Sequence, residues 1–169
     1  KQKKIKYFLI SFVDLFGVLR SKLVPAEAIK NMQKDGAGFA GFATWLDMTP
    51  ADPDMFAIPD PDSLILLPWN KEVGWLASDL WMNNKPVDAS PRIMLKKQIE
   101  RLGKKNLIMK SGVECEYFLI NNEGTGIADK RDIQSKPCYD QSALMRQYEL
   151  IKEICDSMIQ LGWSPYQND

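Results

Sequence analysis

The sequence predicts an α+β fold, and three observations lead to this prediction. The chain opens with two strand-like segments and a short helical one, so strands and helix belong to the same domain. Further strand-like segments follow before the first long helical pattern, which begins near residue 90. Of the 169 residues, 45% are hydrophobic, which is ample for one large core or two small ones.

The opening segments are predicted to form a hairpin followed by a helix. Residues 4–13 are apolar on both faces beyond Lys6, which indicates a central strand. Residues 14–17 form a turn ending in glycine, and residues 18–23 return as the hairpin partner. A short helix is predicted over residues 26–34. The order strand, strand, helix is typical of the start of a β-grasp domain.

Residues 36–43 have the most permissive backbone of the chain, with three glycines interleaved with small and aromatic residues. Two interpretations stay open: a mobile surface loop, or a loop that faces a substrate. The segment lacks the Gly-Lys-Ser/Thr ending of a phosphate-binding P-loop, so its glycines alone do not predict nucleotide binding.

Three further strands are predicted over residues 55–58, 63–68 and 73–82. The tryptophans of this region are predicted to be core or interface anchors, and the absence of interleaved basic residues makes nucleic-acid stacking the weaker alternative. They are Trp69, Trp75 and Trp81.

A polar connection over residues 83–88 is the candidate domain boundary, giving domains 1–87 and 88–169. Ser90 and Pro91 then supply an N-cap and a first helical residue for a helix that runs to Leu102. The predicted inward face of this helix comprises Met94 or Leu95, then Gln98, Ile99 and Leu102. A strand is predicted over residues 107–120, a loop over 121–136, and a last helix between Asp140 and Gly162.

Two carboxylates lie on the same face of the predicted strand 107–120. Glu114 and Glu116 are two residues apart, so they are about 6.5 to 7 Å apart along a strand and can serve hard divalent cations. The alternatives are a solvated strand end or salt bridges to Lys110 or Arg131. The segment by itself favours these alternatives over a metal site.

Composition excludes several classes of function. The 22 basic and 22 acidic residues cancel, so there is no electrostatic footprint for nucleic acid. Histidine is absent, which excludes histidine-based triads and zinc sites within these residues. Three cysteines without a CxxC motif suit a cytoplasmic protein, and no apolar run reaches the length of a membrane span. The chain does not begin with Met, and we expect it to be an N-terminal fragment of a longer protein.

Four ordered motifs resemble one known family. Residues 112–120 read Gly-Val-Glu-Cys-Glu-Tyr-Phe-Leu-Ile, similar to the Gly-x-Glu-x-Glu-aromatic-Phe-Leu strand of the glutamine synthetase superfamily. Residues 13–25 resemble that family's opening hairpin, with Asp-x-x-Gly, then Arg-Ser-Lys and Val-Pro. Residues 54–60 resemble its Asp-Met-x-x-x-Pro-Asp motif, and residues 88–92 resemble the Asp-Pro-Arg that opens its catalytic domain.

The resemblance implies a β-grasp domain followed by the truncated beginning of a catalytic α/β domain. It implies an ATP-dependent ligase that joins glutamate to ammonia or an alkylamine through γ-glutamyl phosphate, with Mg²⁺ or Mn²⁺ as cofactor and ATP as co-substrate. Glu114 would serve the ion nearer the ATP phosphates and Glu116 the ion nearer glutamate. The family forms homo-oligomeric rings, in which residues 36–43 would face a neighbouring subunit. The fragment alone is expected to be inactive.

One departure from the family pattern changes the chemistry of the predicted amine site. Phe39, Ala40, Gly41, Phe42 and Ala43 align with Phe-Asp-Gly-Ser-Ser, whose Asp helps to bind ammonium and remove its proton. Alanine can do neither, so an alkylamine such as methylamine is a candidate substrate, as in a type III-like or γ-glutamylmethylamide synthetase-like branch. Two alternatives stay open. Asp35 or Asp47 could replace the missing carboxylate, or the chain could be a non-catalytic assembly or regulatory module of the same superfamily.

Overall fold

The computed structural model describes residues 5–169 and divides the chain into two compact units, residues 1–109 and 110–169. The predicted strand over 4–13 begins outside the described residues. The predicted domain boundary at residues 87 and 88 falls within the first unit and stays a prediction. Within the described part of the chain, no helix combines the length and apolar character needed to cross a membrane.

Among its described residues, 5–109, the first unit has seven strands, two α-helices and three short 3-10 turns. The strands are β1 (Tyr7–Val13), β2 (Leu19–Pro25), β3 (Ala37–Phe39), β4 (Met55–Pro59), β5 (Ile65–Leu66), β6 (Val73–Met82) and β7 (Lys85–Pro86). The helices are α1 (Ile29–Asp35) and α2 (Pro91–Gly103), and the 3-10 turns are Ala26–Ala28, Gly41–Ala43 and Pro61–Ser63.

The strands form a mixed sheet in the order β2-β1-β6-β4-β3, with β5 and β7 paired to β6. In the described part of this unit only β1 and β6 pair in parallel, with Tyr7 opposite Val73; the other pairs are antiparallel. One face of the sheet carries the core, and α1 covers it with Ile29 and Met32. The core residues that are 2% exposed or less are Ile10, Leu46, Met55, Ala57, Leu76 and Leu80.

The prediction of the inward face of α2 is wrong. Ile93 is buried, whereas Met94, Leu95 and Ile99 are exposed. The reason is ionic: Arg92 Nε donates to Asp79 Oδ1 at 2.9 Å, and Lys96, one turn further on, places its Nζ 2.5 Å from Asp79 Oδ2. The guanidinium of Arg92 also binds Asp60, so this polar edge of the helix, and not the apolar stripe, faces the sheet.

Most of the predicted elements of the first unit are confirmed, with changed bounds. The hairpin, the helix after it, and the strands at 55–58 and 73–82 all occur. The predicted strand over 63–68 is shorter, because only Ile65–Leu66 pairs with β6. The segment 36–43 is not a loop throughout, because Ala37–Phe39 pairs antiparallel with β4. Of the predicted tryptophan anchors, Trp69 is 67% exposed, whereas Trp75 is half-buried.

The second unit contains two helices, α3 (Gln141–Arg146) and α4 (Tyr148–Gln160), where one helix was predicted. Asp140 caps the first by accepting a hydrogen bond from Ser142 N–H at 3.0 Å, as predicted. Asp129 binds Arg131 and Arg146 through its two carboxylate oxygens, and the hydrogen bonds from Arg131 hold the pKa of Asp129 well below its ordinary value.

The predicted strand over residues 107–120 is wrong. A strand needs a neighbour for its backbone N–H and C=O groups. Within residues 5–169 the only partner is a single antiparallel bridge between Ile120 and Ile127. The preceding residues are irregular, and apolar side chains such as Val113 and Phe118 are more than 80% exposed.

Candidate functional site

The loop that aligns with the family's amine site begins at Phe39, the last residue of β3. Its ring is 9% exposed and packs edge-on against Phe12, with ring centroids 4.9 Å apart. Lys22 Nζ lies 5.0 Å from the centroid of the same ring. Contacts with an aromatic ring and with a cation therefore anchor the start of the loop at Phe39.

The rest of the loop is a hydrogen-bonded turn. Ala43 N–H donates to Ala40 C=O at 3.1 Å, and Gly41 C=O accepts from both the N–H and the Oγ1 hydroxyl of Thr44, at 3.1 and 2.8 Å. Gly41 is buried, and the side chain of Met48 occupies the space where a Cβ would lie. We call residues 39–43 the amine-site loop, after the amine site that the resemblance predicts there; its shape is fixed by the turn and by Met48.

The amine-site loop itself carries no carboxylate. Ala40 is half-buried and Ala43 is exposed. Asp35, one of the two suggested replacements, is exposed at the end of α1. Asp47, the other, is exposed and has a left-handed backbone with φ of 57°.

A second turn, which the sequence revealed only as a turn, lies against this region. Asp14 is 1% exposed, and its Oδ1 accepts hydrogen bonds from Phe16 N–H at 2.9 Å and Val18 N–H at 3.0 Å. Its Oδ2 accepts from Arg20 Nε at 2.9 Å. Burial raises the pKa of the Asp14 carboxyl, but the hydrogen bonds from Val18, Arg20 and Phe16 outweigh burial, so the pKa lies below its ordinary value of 3.8.

The two candidate metal ligands lie in the second unit. Glu114 and Glu116 are both exposed on the irregular segment, and neither forms an ion pair among residues 5–169. The alternative of a salt bridge to Arg131 does not occur there; Arg131 instead donates to Asp129 through Nε and Nη2 at 2.8 and 3.0 Å. The strand that would place the two glutamates on one face is not formed.

Glu114 and Glu116 are the right type of ligand for a hard divalent cation, but two ligands are too few to hold one. Two carboxylates offer the oxygen ligands that Mg²⁺ and Mn²⁺ prefer. A complete shell needs more groups, and within residues 5–169 no three His, Cys, Asp or Glu side chains gather into a metal site. Glu114 and Glu116 therefore offer two carboxylates of suitable type, fewer than a metal site needs.

Comparison with known proteins shows which enzymes the chain resembles. Along all 169 residues the chain is 59% identical to a glutamine synthetase of Rhizobium leguminosarum bv. phaseoli, and it is 39% identical to a glutamate–methylamine ligase of Methyloversatilis universalis. A solved structure described as a GmaS complex with ADP matches 96% of the chain with a TM-score of 0.92 and 58% identity. The chain is similar to members of the glutamine synthetase superfamily along its whole length.

The chain spans 39% of the length of these two glutamine synthetase superfamily relatives and 38% of the GmaS structure. A solved Plasmodium falciparum glutamine synthetase, 18% identical with a TM-score of 0.54 over 60% of the chain, shares the fold alone. No protein-family model matches the chain.

Sequence reasoning missed the residues that fix the amine-site loop. Thr44, Trp45 and Met48 gave no signal by residue type, because their contacts depend on how the backbone folds between β3 and β4. Asp14 did give a signal, since an Asp three residues before a Gly is typical of a turn in which the carboxylate binds backbone N–H groups.

Proposed function

We propose that this chain is part of an ATP-dependent ligase that joins glutamate to an amine through γ-glutamyl phosphate. One observation carries the proposal: the similarity to glutamine synthetases and to GmaS, at 58 to 59% identity, runs along nearly the whole chain. A likeness limited to the fold would leave the activity open, whereas identity at this level includes the segments from which the site is built.

The proposal includes the domain organisation. Residues 1–87 form a β-grasp domain, and residues 88–169 begin the catalytic α/β domain. The mixed sheet with α1 packed across one face supports a β-grasp assignment. The full protein assembles into a homo-oligomeric ring, in which the amine-site loop faces a neighbouring subunit.

In this proposal Glu114 and Glu116 each ligate a divalent ion, Mg²⁺ or Mn²⁺. Such ions, when bound, supply positive charge against phosphate and acyl oxygens. Glu114 serves the ion nearer the ATP phosphates and Glu116 the ion nearer glutamate. Both carboxylates are exposed and have no competing cation among residues 5–169, so neither has to break an ion pair to bind. Two carboxylates do not complete either site, so the fragment alone is inactive.

We infer that the amine is an alkylamine, with methylamine as the first candidate. A carboxylate in the amine-site loop would attract an ammonium ion and accept its proton, but Ala40 can do neither. The methyl group of Ala40 leaves apolar surface that suits an alkyl group. The relative from Methyloversatilis universalis, a glutamate–methylamine ligase, supports this choice.

Ammonia is the second candidate. The relatives that are 59% and 57% identical to this chain are both named glutamine synthetases. The two candidates place different demands on the site, because Ala40 supplies no carboxylate. If ammonia is the substrate, a carboxylate from outside the amine-site loop must hold the ammonium ion.

The test is an assay of the complete protein that contains this chain. We expect ATP- and Mg²⁺-dependent phosphate release with glutamate, stimulated more by methylamine than by ammonium at equal concentration. Glu116→Ala should abolish this release, and Glu123→Ala, an exposed glutamate of the same unit, should not. Equal or better activity with ammonium would refute the alkylamine assignment. No release with either amine from a folded protein would favour the non-catalytic module.

A further inference from the structure

The turn between β1 and β2 is closed by a single buried carboxylate. Asp14 is 1% exposed, and it binds Phe16 N–H, Val18 N–H and Arg20 Nε at once. Gly17, with φ of 80°, completes the turn by donating its N–H to Asp14 C=O at 3.1 Å. An asparagine here could keep an acceptor oxygen but would lose the charge that pairs with Arg20.

This turn is in direct contact with the segment that follows the amine-site loop. Leu15 N–H donates to Trp45 C=O at 3.3 Å, and the rings of Phe16 and Trp45 pack edge to face with centroids 5.4 Å apart. The two rings are 75% and 64% exposed, so their mutual contact does not come from burial in the core. The position of Phe16 is set by its N–H bond to Asp14.

The segment held in this way has a backbone that needs external support. Trp45 and Asp47 both have left-handed backbones, with φ of 48° and 57°, a conformation that is costly for residues other than glycine. Leu46 between them is 1% exposed and anchors the segment in the core. Such conformations persist where surrounding contacts impose them, and the turn at Asp14 supplies a backbone hydrogen bond and a ring contact to Trp45.

Only Thr44 separates Trp45 from the end of the amine-site loop. Thr44, the neighbour of Trp45, donates both its N–H and its hydroxyl to Gly41 C=O. A displacement of Trp45 therefore moves the residue that fixes the middle of the amine-site loop. The path from Asp14 runs through Phe16 and Leu15 to Trp45, then through Thr44 to Gly41, and each step is a hydrogen bond, a ring contact or a peptide bond.

We propose that Asp14 is a positioning residue for the amine-site loop: its carboxylate fixes the first hairpin turn, which holds Trp45 and thereby sets where Gly41 and Ala40 lie. The proposal rests on the proposed function for its effect on catalysis, because it takes residues 39–43 to be the amine site. Its structural part is independent of that function.

The experiment compares Asp14→Asn with Asp62→Asn in the complete protein. Asp62 is an exposed carboxylate of the same unit whose side chain forms no hydrogen bond or ion pair among residues 5–169. The kinetic readout compares the change in KM for the amine with the changes in kcat and in KM for ATP. We expect Asp14→Asn to raise KM for the amine about tenfold with KM for ATP unchanged, because a displaced loop weakens placement of one substrate. A merely structural role would lower the amount of active enzyme and leave KM unchanged.

The second readout is hydrogen–deuterium exchange of the peptide covering residues 40–48. We expect faster exchange there in Asp14→Asn than in Asp62→Asn. If the unaltered protein has no ligase activity, the proposed function fails and exchange alone decides the positioning role. If Asp14→Asn does not fold, Phe16→Leu replaces it, since this variant keeps the Asp14 bonds and removes only the ring on Trp45. Unchanged exchange over 40–48, or an unchanged KM for the amine in an active enzyme, overturns the proposal.

Discussion

Gly41 is the position at which one added methyl group tests the geometry of the amine-site loop. An ideal Cβ there would lie 2.1 Å from Met48 Sδ, with Met48 Cγ at 3.3 Å and Cβ at 3.4 Å. Non-bonded heavy atoms settle about 3.5 to 4.0 Å apart, so the sulfur has to retreat by roughly 1.5 Å. Gly41→Ala therefore forces Met48 into a new rotamer or pushes the turn outward.

The size of the effect follows from two opposing contributions. Overpacking costs about 1–3 kcal/mol, and a flexible methionine keeps the cost at the lower end. Gly41 is not among the glycines with positive φ, so alanine fits its backbone. Alanine also lowers the entropy of the unfolded chain, which stabilises the folded state by about 0.4–1 kcal/mol. Taking about 1 kcal/mol for the overpacking cost, we expect a net loss of up to about 0.6 kcal/mol in the free energy of unfolding.

The assay is a urea titration of the protein that carries this chain, with unfolding monitored by tryptophan fluorescence. Gly38→Ala is the matched control, because its Cβ would meet only Phe56 Cε1, at an ordinary 3.7 Å. In a Met48→Ala background the cost of Gly41→Ala should disappear, which a double-mutant cycle measures directly. Equal costs for Gly41→Ala and Gly38→Ala, or a cost that persists without the Met48 side chain, would refute the packing argument.

Four further predictions follow from other parts of the first unit. Ala40→Asp should raise the ratio of kcat/KM for ammonium over methylamine by about tenfold, because it restores a cation-binding carboxylate; an unchanged ratio in steady-state kinetics would count against the assignment of the amine site. Arg92→Met should lower the free energy of unfolding by about 1.5–3 kcal/mol in a denaturant titration, since it removes charged hydrogen bonds from two carboxylates, and a loss below 0.5 kcal/mol would contradict this. The folded-state pKa of Asp14 is lowered, so its contribution to stability is complete above its ordinary pKa of 3.8 and is lost as the pH falls through the lower folded-state value; Asp14→Asn should remove this part of the pH dependence. Leu80→Ala, at a residue that is 0% exposed, should cost about 2–5 kcal/mol in the same titration, whereas Leu66→Ala, 44% exposed, should cost far less.

Local patterns predicted the elements whose partners lie within the described chain. β6 occurs with its predicted bounds, Val73–Met82, because alternation and flanking turn residues define both ends. The hairpin was predicted because Gly17 marks its turn and residues 4–13 before it have the pattern of an apolar strand. In both cases the sequence around the element contains the information that determines it.

The misses share a different cause. The apolar residues at 107–120 suit a strand, but a strand exists only where a neighbour pairs with its backbone, and the described residues supply one bridge. Helix α2 turned its polar edge inward because Asp60 and Asp79, distant in sequence, attract Arg92. These outcomes depend on contacts between separated segments, which periodicity within a single segment does not report.

The candidate site was predicted unevenly for the same reason. The family resemblance predicted residues 39–43 and the two glutamates as site residues from local motifs, and this stays a prediction. It did not reveal that Gly41 packs on Met48 or that a hairpin turn holds Trp45, because both contacts join separate parts of the chain. The shape of the amine-site loop therefore depends on tertiary contacts, which local motifs do not report.

The parallel pairing of β1 with β6 has a consequence for how the chain folds as it is synthesised. The β1 and β2 hairpin joins neighbouring segments and can close early, but the other edge of β1 stays unpaired until Val73–Ala77 emerges from the ribosome. Closing that pair encloses everything between, including the amine-site loop, at a large loop-closure entropy. During translation an apolar strand edge is thus exposed for the time needed to make some sixty residues, about 3–12 s at 5–20 residues per second. Slowing translation across residues 14–72 should lengthen that exposure and increase chaperone binding to the nascent chain.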